Sequence, residues 1–313
     1  MYLLINDPEP LQTIVHRIGK NFRQYRLNFK QGKPFIYLTK LGFKFLCIPD
    51  VKTSVNLYVR QPAYEEIELK IAQQWLQEGD SCLDIGANVG YFSAMFAEKV
   101  SENGKVIAIE ASPQTAKHLG KVIQILGLRQ ICLEQVCVTD TNGFVEFMVG
   151  SSESSDVRQS LRVSPEIEEL FKREIVVSAT VNNLIKKHKI HQNISLVKID
   201  IEGAEPLALR GGKLLFQEKS LPLFIVEVYK LGLSRFGFEP KDVVSFFSLD
   251  LFDIYQVNRS HPNPLPELKY GVLYPLLNPD IHSWPWHTNI IAIPKVGKYK
   301  NRKSQIKTNL LCR

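Results

Sequence analysis

Two short runs of this chain gather residue types that can do chemistry. Asp84-Ile-Gly-Ala-Asn-Val-Gly90 sets an acid and two glycines where an apolar run, Ser81–Ile85, hands over to a helical pattern from about Tyr91 to Val100. Gly86 and Gly90 allow a sharp turn and leave room for a ligand against the main chain. The N–H groups of a helix start, with its dipole, suit a carboxylate, and Asn88 stands between the glycines in the same turn. Asp84 is placed to accept from an ammonium group. Glu110 closes the next apolar run, where an acid can accept from two ribose hydroxyls. A pyrophosphate-binding loop needs G-x-G-x-x-G; here positions 88 and 91 are Asn and Tyr. The loop therefore suits an amino-acid-bearing nucleoside, S-adenosylmethionine, better than a nicotinamide or flavin dinucleotide. A dehydrogenase and an ordinary glycine turn are the competing readings.

The second run is Lys198-Ile-Asp200-Ile-Glu202-Gly-Ala-Glu205. Three carboxylates and a lysine at the end of a strand are costly to bury without a role. Strand alternation sends Lys198 and Asp200 to one face and Ile199 to the other. Glu205 also reads as the cap of the following helix. Asp200 is the first candidate to orient or deprotonate an acceptor hydroxyl, with Glu202 and Glu227 behind it and Lys198 as a partner that tunes a carboxylate. His287, in Trp284-Pro-Trp-His-Thr-Asn289, is an alternative base. Asp200, Glu202 and Glu227 could also collect a divalent cation, though nothing requires one. Backbone around Val138–Asp140, including Asp140, is expected near the adenine.

These residues need a scaffold, and the patterning supplies one. Strand-like and helical stretches alternate from residue 62 to 257: strands near Ser81–Ile85, Lys105–Glu110, Ile131–Val138, Ser195–Asp200, Leu223–Tyr229 and Leu251–Val257, with helices over Pro62–Gln77, Tyr91–Val100, Ser112–Gly127, Val181–His188, Pro206–Glu218 and Lys241–Ser248. Such alternation marks a mainly parallel sheet with helices on both faces. Asn142-Gly143 predicts a turn into an extra strand, Phe144–Val149, and a mobile Ser-rich loop is expected over 150–165. A last strand at Asn289–Pro294, joined to the previous one without a clear helix, suggests an antiparallel edge. A helix over 9–26 and short strands at Phe35–Leu38 and Phe43–Ile48 make residues 1–60 a small appendage. The main domain is expected over 61–294, and a basic flexible tail over 295–313.

The chain of 313 residues has 39 Lys and Arg against 32 Asp and Glu. The tail holds seven of the bases and no acid, so the body is formally neutral and no nucleic-acid partner is expected. No stretch approaches the roughly 20 apolar residues of a spanning helix. Cys47, Cys82, Cys132, Cys137 and Cys312 lie in no metal-ligand spacing, and their odd count favours a reducing, cytoplasmic setting.

DIGANVGYFS, VIAIEASP, VKIDIEGAEPLALRGG, LFIVEVY and NIIAIP, in this order from about Tyr64 to Pro294, resemble the FkbM-type methyltransferases. The resemblance implies a Rossmann-like class I methyltransferase sheet, S-adenosylmethionine as methyl donor, and O-methylation of a sugar or natural-product acceptor, a small molecule or a glycan. Two departures stand out. Val122 and Leu126 replace asparagines usual in the family, and Val181-Asn182 replaces Leu-Asp. The chain lacks the Asn/Asp-Pro-Pro-aromatic motif of base N-methylating enzymes. A non-catalytic binding protein that kept the fold is a further alternative.

Overall fold

In the computed structural model the described residues are Arg23 and residues 32–59, 65–150, 160–191, 193–257, 273–276 and 284–306. The chain divides into two units, Met1–Tyr64 and Glu65–Arg313. In the first, β1 (Phe35–Leu38) and β2 (Lys44–Cys47) form an antiparallel hairpin followed by helix α1 (Lys52–Val59). Ser54 ties them together, its hydroxyl accepting from Ile48 N and donating to Leu46 O. Of the helix expected over 9–26, only Arg23 lies within the described residues.

The second unit is built on apolar strands. β3 (Ser81–Ile85), β4 (Lys105–Ile109), β5 (Ile131–Glu134), β9 (Ile194–Ile199) and β10 (Leu223–Tyr229) pair in parallel. Strands buried on both faces read as continuous apolar runs, and β3 and β9 are buried at every position. Beyond β10 come β13 (His287–Pro294), β11 (Phe252–Val257) and β12 (Leu273–Pro275), giving the order β12-β11-β13-β10-β9-β3-β4-β5. The expected antiparallel strand is β13, which inserts between β10 and β11. Strand order reverses at β3 and β9, so the crevice for a ligand opens beyond their carboxyl ends. This is the Rossmann-like sheet of class I methyltransferases.

Helix α2 (Glu66–Trp75) follows Glu65, which is in the left-handed conformation, and anchors to β9 through Trp75 Nε1, which donates to Ser195 O at 2.7 Å; residues 62–64 of its expected span lie outside the described residues. Helix α3 (Tyr91–Val100) buries Phe92, Met95 and Phe96. Helix α4 (Pro113–Leu126) starts at Ser112, whose hydroxyl accepts from Thr115 N, and stops at Gly127 in the left-handed conformation.

Three expectations change. The run Ile131–Val138 is not one strand. It leaves the main sheet after Glu134, and β6 (Cys137–Val138) pairs with β8 (Phe171–Ala179), which pairs with β7 (Gly143–Gly150) as a separate small sheet. The helix expected over Pro206–Glu218 ends early, as α6 (Glu205–Arg210), where Gly211-Gly212 interrupts it, after α5 (Val181–His188) and β9. The tail does not fray from 295: Arg302 donates to both Asp80 carboxylate oxygens and to Trp75 O, and Lys303 pairs with Asp253 at 2.8 Å. Residues 307–313 and most of the expected loop 150–165 lie outside the described residues.

Candidate active site

Register places the functional side chains. Asp84 lies opposite Ala108 on one side and Lys198 on the other, and Lys198 lies opposite Ile225. Paired residues point to the same face, so Asp84 and Lys198 are side by side. Two positions on, the same face carries Glu110, Asp200, Glu227 and Asn289, the last two being register partners. Tyr229 and His287 pair one step further out. A row of acids thus crosses four strands at the carboxyl edge, with Asn289 of β13 continuing it.

Asp84 is fully buried, and Ser93 Oγ donates to its Oδ2 at 2.5 Å. Its other oxygen, Oδ1, is buried with no hydrogen-bond partner among the described residues. Burial pushes the Asp84 carboxyl up, opposed by Lys198 and the Ser93 hydroxyl. Lys198 is nearly buried, bonds Asp200 Oδ2 at 2.9 Å and sits 4.8 Å over the Phe92 ring.

The glycine turn is held by backbone contacts. Gly86 N and Ala87 N both donate to Ile109 O at 2.9 Å. Asn88, at φ 50°, caps Val89 N with its own Oδ1. Gly86 has φ +81°, and a Cβ there would lie 1.9 Å from the Asp200 carbonyl oxygen. Only glycine lets the two strand ends come this close. Glu110 accepts from Asn88 N and Ser112 N, each at 2.9 Å. Burial raises its carboxyl to about 7 against the pull of those two amides.

After β9 the chain turns through Glu202, a non-glycine residue at φ 59°, and Gly203, whose Cβ would meet the Gly232 carbonyl carbon at 2.1 Å. Backbone held in this way costs of order 1–3 kcal/mol and tends to occur at functional sites. Glu205 secures the turn from below, its Oε1 accepting from Ile201 N and Gly203 N. Asp200, Glu202 and Glu227 each bring a carboxylate oxygen within 4.8 Å of the others. Glu227 Oε1 lies 2.6 Å from His287 Nε2, and the His287 ring meets Tyr229 edge-on at 5.6 Å. Asp200 is thus paired to Lys198 and Glu227 to His287 within the chain.

Asp84, Gly86, Asn88, Gly90, Glu110, Lys198, Asp200, Glu202, Glu227 and His287 therefore converge on one edge. Asp140 is exposed, and its Cα lies 3.3 Å from where a Gly211 Cβ would stand, in the segment that leaves the main sheet after β5. Burial, and then the Glu110 charge, raise the Cys137 thiol in this segment to about 12. Ser93 goes unassigned by sequence reasoning, and Glu205 reads there as part of the acidic run and as a helix cap. A lone polar residue in the first turn of a helix buried on nearly every face is the signal that would have found Ser93.

A model of the methyltransferase FkbM domain matches residues 84–254. The chain belongs to the FkbM methyltransferase family. This family uses S-adenosylmethionine, and the matched span holds both motifs and most of the acidic row. Among solved structures, an FkbM methyltransferase of Methylobacillus flagellatus is 14% identical with a TM-score of 0.40, covering 77% of this chain and 54% of its own. An S-adenosylmethionine-dependent O-methyltransferase of Thermotoga maritima is 16% identical with a TM-score of 0.38, covering 85% of this chain and 78% of its own. The protein-L-isoaspartate O-methyltransferase of Methanococcus aeolicus is 39% identical over 72 residues, 23% of this chain and 32% of that protein. This FkbM-family chain spans about a third of the length of that curated relative.

Glu205 makes a prediction independent of the reaction. Burial, and then the neighbouring Glu227 charge, raise its carboxyl from the ordinary 4.5 to about 8. Between those values the folded chain holds a proton that the unfolded chain has lost. The stability this gives is complete below about 4.5 and declines as pH rises through about 8, by about 1.4 kcal/mol per pH unit. Glu205→Gln should flatten that slope in urea titrations between pH 5 and 8. An unchanged slope would refute the assignment.

Proposed function

We propose that the chain is an S-adenosylmethionine-dependent O-methyltransferase acting on a hydroxyl of a sugar or natural-product-type small molecule. The observation that carries the cofactor assignment is the buried Asp84 Oδ1 beneath the glycine turn, without a hydrogen-bond partner among the described residues, which suits the methionyl ammonium. Glu110 retains lone pairs for ribose hydroxyls beside the two amides it already accepts. The excess of carboxylates over cations along this edge also favours a ligand with two positive centres over a pyrophosphate. S-adenosylmethionine, when bound, supplies an electrophilic methyl group on a sulfonium.

Methyl transfer to oxygen needs the acceptor held in line at about 3 Å and relieved of its proton. Asp200 stands at the end of a central strand, oriented through its ion pair with Lys198 and still partly accessible, so it serves to orient the hydroxyl and take its proton. Glu202 and the Glu227–His287 pair stand beside it.

The test is release of S-adenosylhomocysteine when the chain is incubated with methyl donor and hydroxyl-bearing acceptors. The reading predicts label on oxygen, stable to the base that cleaves methyl esters. Base-labile label would instead indicate carboxyl methylation, the chemistry named for the Methanococcus relative, and would refute hydroxyl specificity.

A further inference from the structure

The segment that joins β7 to β8 in the small sheet packs against the loops that follow β9 and β10. Ser160 Oγ donates to Glu202 O at 3.5 Å, Arg162 Nη1 to Arg235 O at 3.1 Å, and Arg235 Nε to Ser164 Oγ at 3.2 Å. Here lies an open cavity of about 580 Å³, lined by Arg162, Arg173 and Arg235 and also by Glu146, Glu166 and Glu168. That volume is in the range of small-molecule sites.

The three arginines differ in their partners. Arg173 is paired with Glu168 and Glu146. Arg162 and Arg235 pair with no carboxylate among the described residues. Each lies over an aromatic ring, Arg162 at 5.2 Å from the Phe236 centroid and Arg235 at 5.9 Å from Tyr229. Stacking fixes the plane of a guanidinium and leaves its edge to donate in the fork geometry that fits an oxyanion. Tyr229 meets Arg235 and also His287, which bonds Glu227. The cavity therefore adjoins the carboxylate row.

We propose that Arg162 and Arg235 form an anion subsite of the acceptor pocket. It holds the carboxylate or phosphate of an acidic sugar, or of a small molecule of similar size, whose hydroxyl lies at Asp200. This rests on the acceptor reading given above. The negative row orients the hydroxyl end and would repel the anion, so the charge pattern fixes which way round the molecule enters.

The experiment is calorimetric titration of the full chain, first with S-adenosylhomocysteine and then, in its presence, with glucuronate, glucose 6-phosphate and glucose. At least one anionic sugar should bind about tenfold or more tighter than glucose. The double substitution Arg162→Gln, Arg235→Gln should remove that preference, and Arg235→Lys alone should keep part of it. Affinity for S-adenosylhomocysteine should be unchanged in both variants. A preference for glucuronate identifies a carboxylate subsite, and one for glucose 6-phosphate a phosphate subsite. Equal binding of the three sugars, no binding of either anion, or undiminished anion binding in the double variant overturns the proposal. Failure of the first titration alone would count against the cofactor assignment and not against the subsite.

Discussion

Asp200→Asn should lower turnover by about a thousandfold, within the range for loss of a positioned acid–base group, while S-adenosylhomocysteine affinity stays within about twofold of the parent. The reasoning is local. The substitution keeps the side-chain shape and leaves an oxygen to accept from Lys198 Nζ, now 2.9 Å from Oδ2, so the buried lysine keeps a partner. What goes is the charge that takes the proton. Asp84, Gly86 and Glu110, the assigned cofactor contacts, are untouched. The measurement is single-turnover methyl transfer beside calorimetry on the same preparation. Retained turnover would remove Asp200 from its role, and a parallel loss of cofactor affinity would make it a binding residue instead.

Gly86→Ala should abolish detectable cofactor binding, a loss of at least about a hundredfold, and lower the unfolding free energy by about 2–4 kcal/mol. The methyl group would stand 1.9 Å from the Asp200 carbonyl oxygen at a φ of +81°. That oxygen is backbone, on a residue whose N–H is bonded to Ile85 O, so it cannot simply rotate aside. Either the turn or the end of β9 must move, and each carries part of the site. Calorimetry and chemical denaturation of the variant test this. Near-parental affinity would show that the contact between the two strand ends does not shape the cofactor loop.

Local signals in the sequence were enough for much of this architecture. Tyr91–Val100, Val181–His188, Ser81–Ile85 and Leu223–Tyr229 have the bounds their patterns imply: the glycine turn sets the start of the first, Thr180 caps the second, and the two strands are buried along nearly their whole length. Lys198 and Asp200 share a face by strand alternation alone. Long-range pairing was not legible. The apolar run Ile131–Val138 is continuous in sequence, and the pairing of Cys137 and Val138 with Ser178 and Ala179 draws its end out of the main sheet. Composition made the terminal bases look solvated, yet Arg302 finds Asp80 far back along the chain. The Glu227–His287 contact depends on the register of β10 against β13. Glu205 resembled a simple helix cap, and its full burial beneath the Ile201–Gly203 turn follows from the close approach of Gly203 to Gly232.

The account stands or falls on the buried acid beneath the glycine turn. Isothermal titration of the full chain with S-adenosylhomocysteine tests it most directly, with Asp84→Asn measured alongside. One ligand per chain should bind with a Kd of about 1–100 μM, and Asp84→Asn should weaken binding about tenfold or more, since it removes the charge offered to the ammonium group. Absence of binding to the parent chain at millimolar ligand, or tight binding of NAD in its place, would contradict the account.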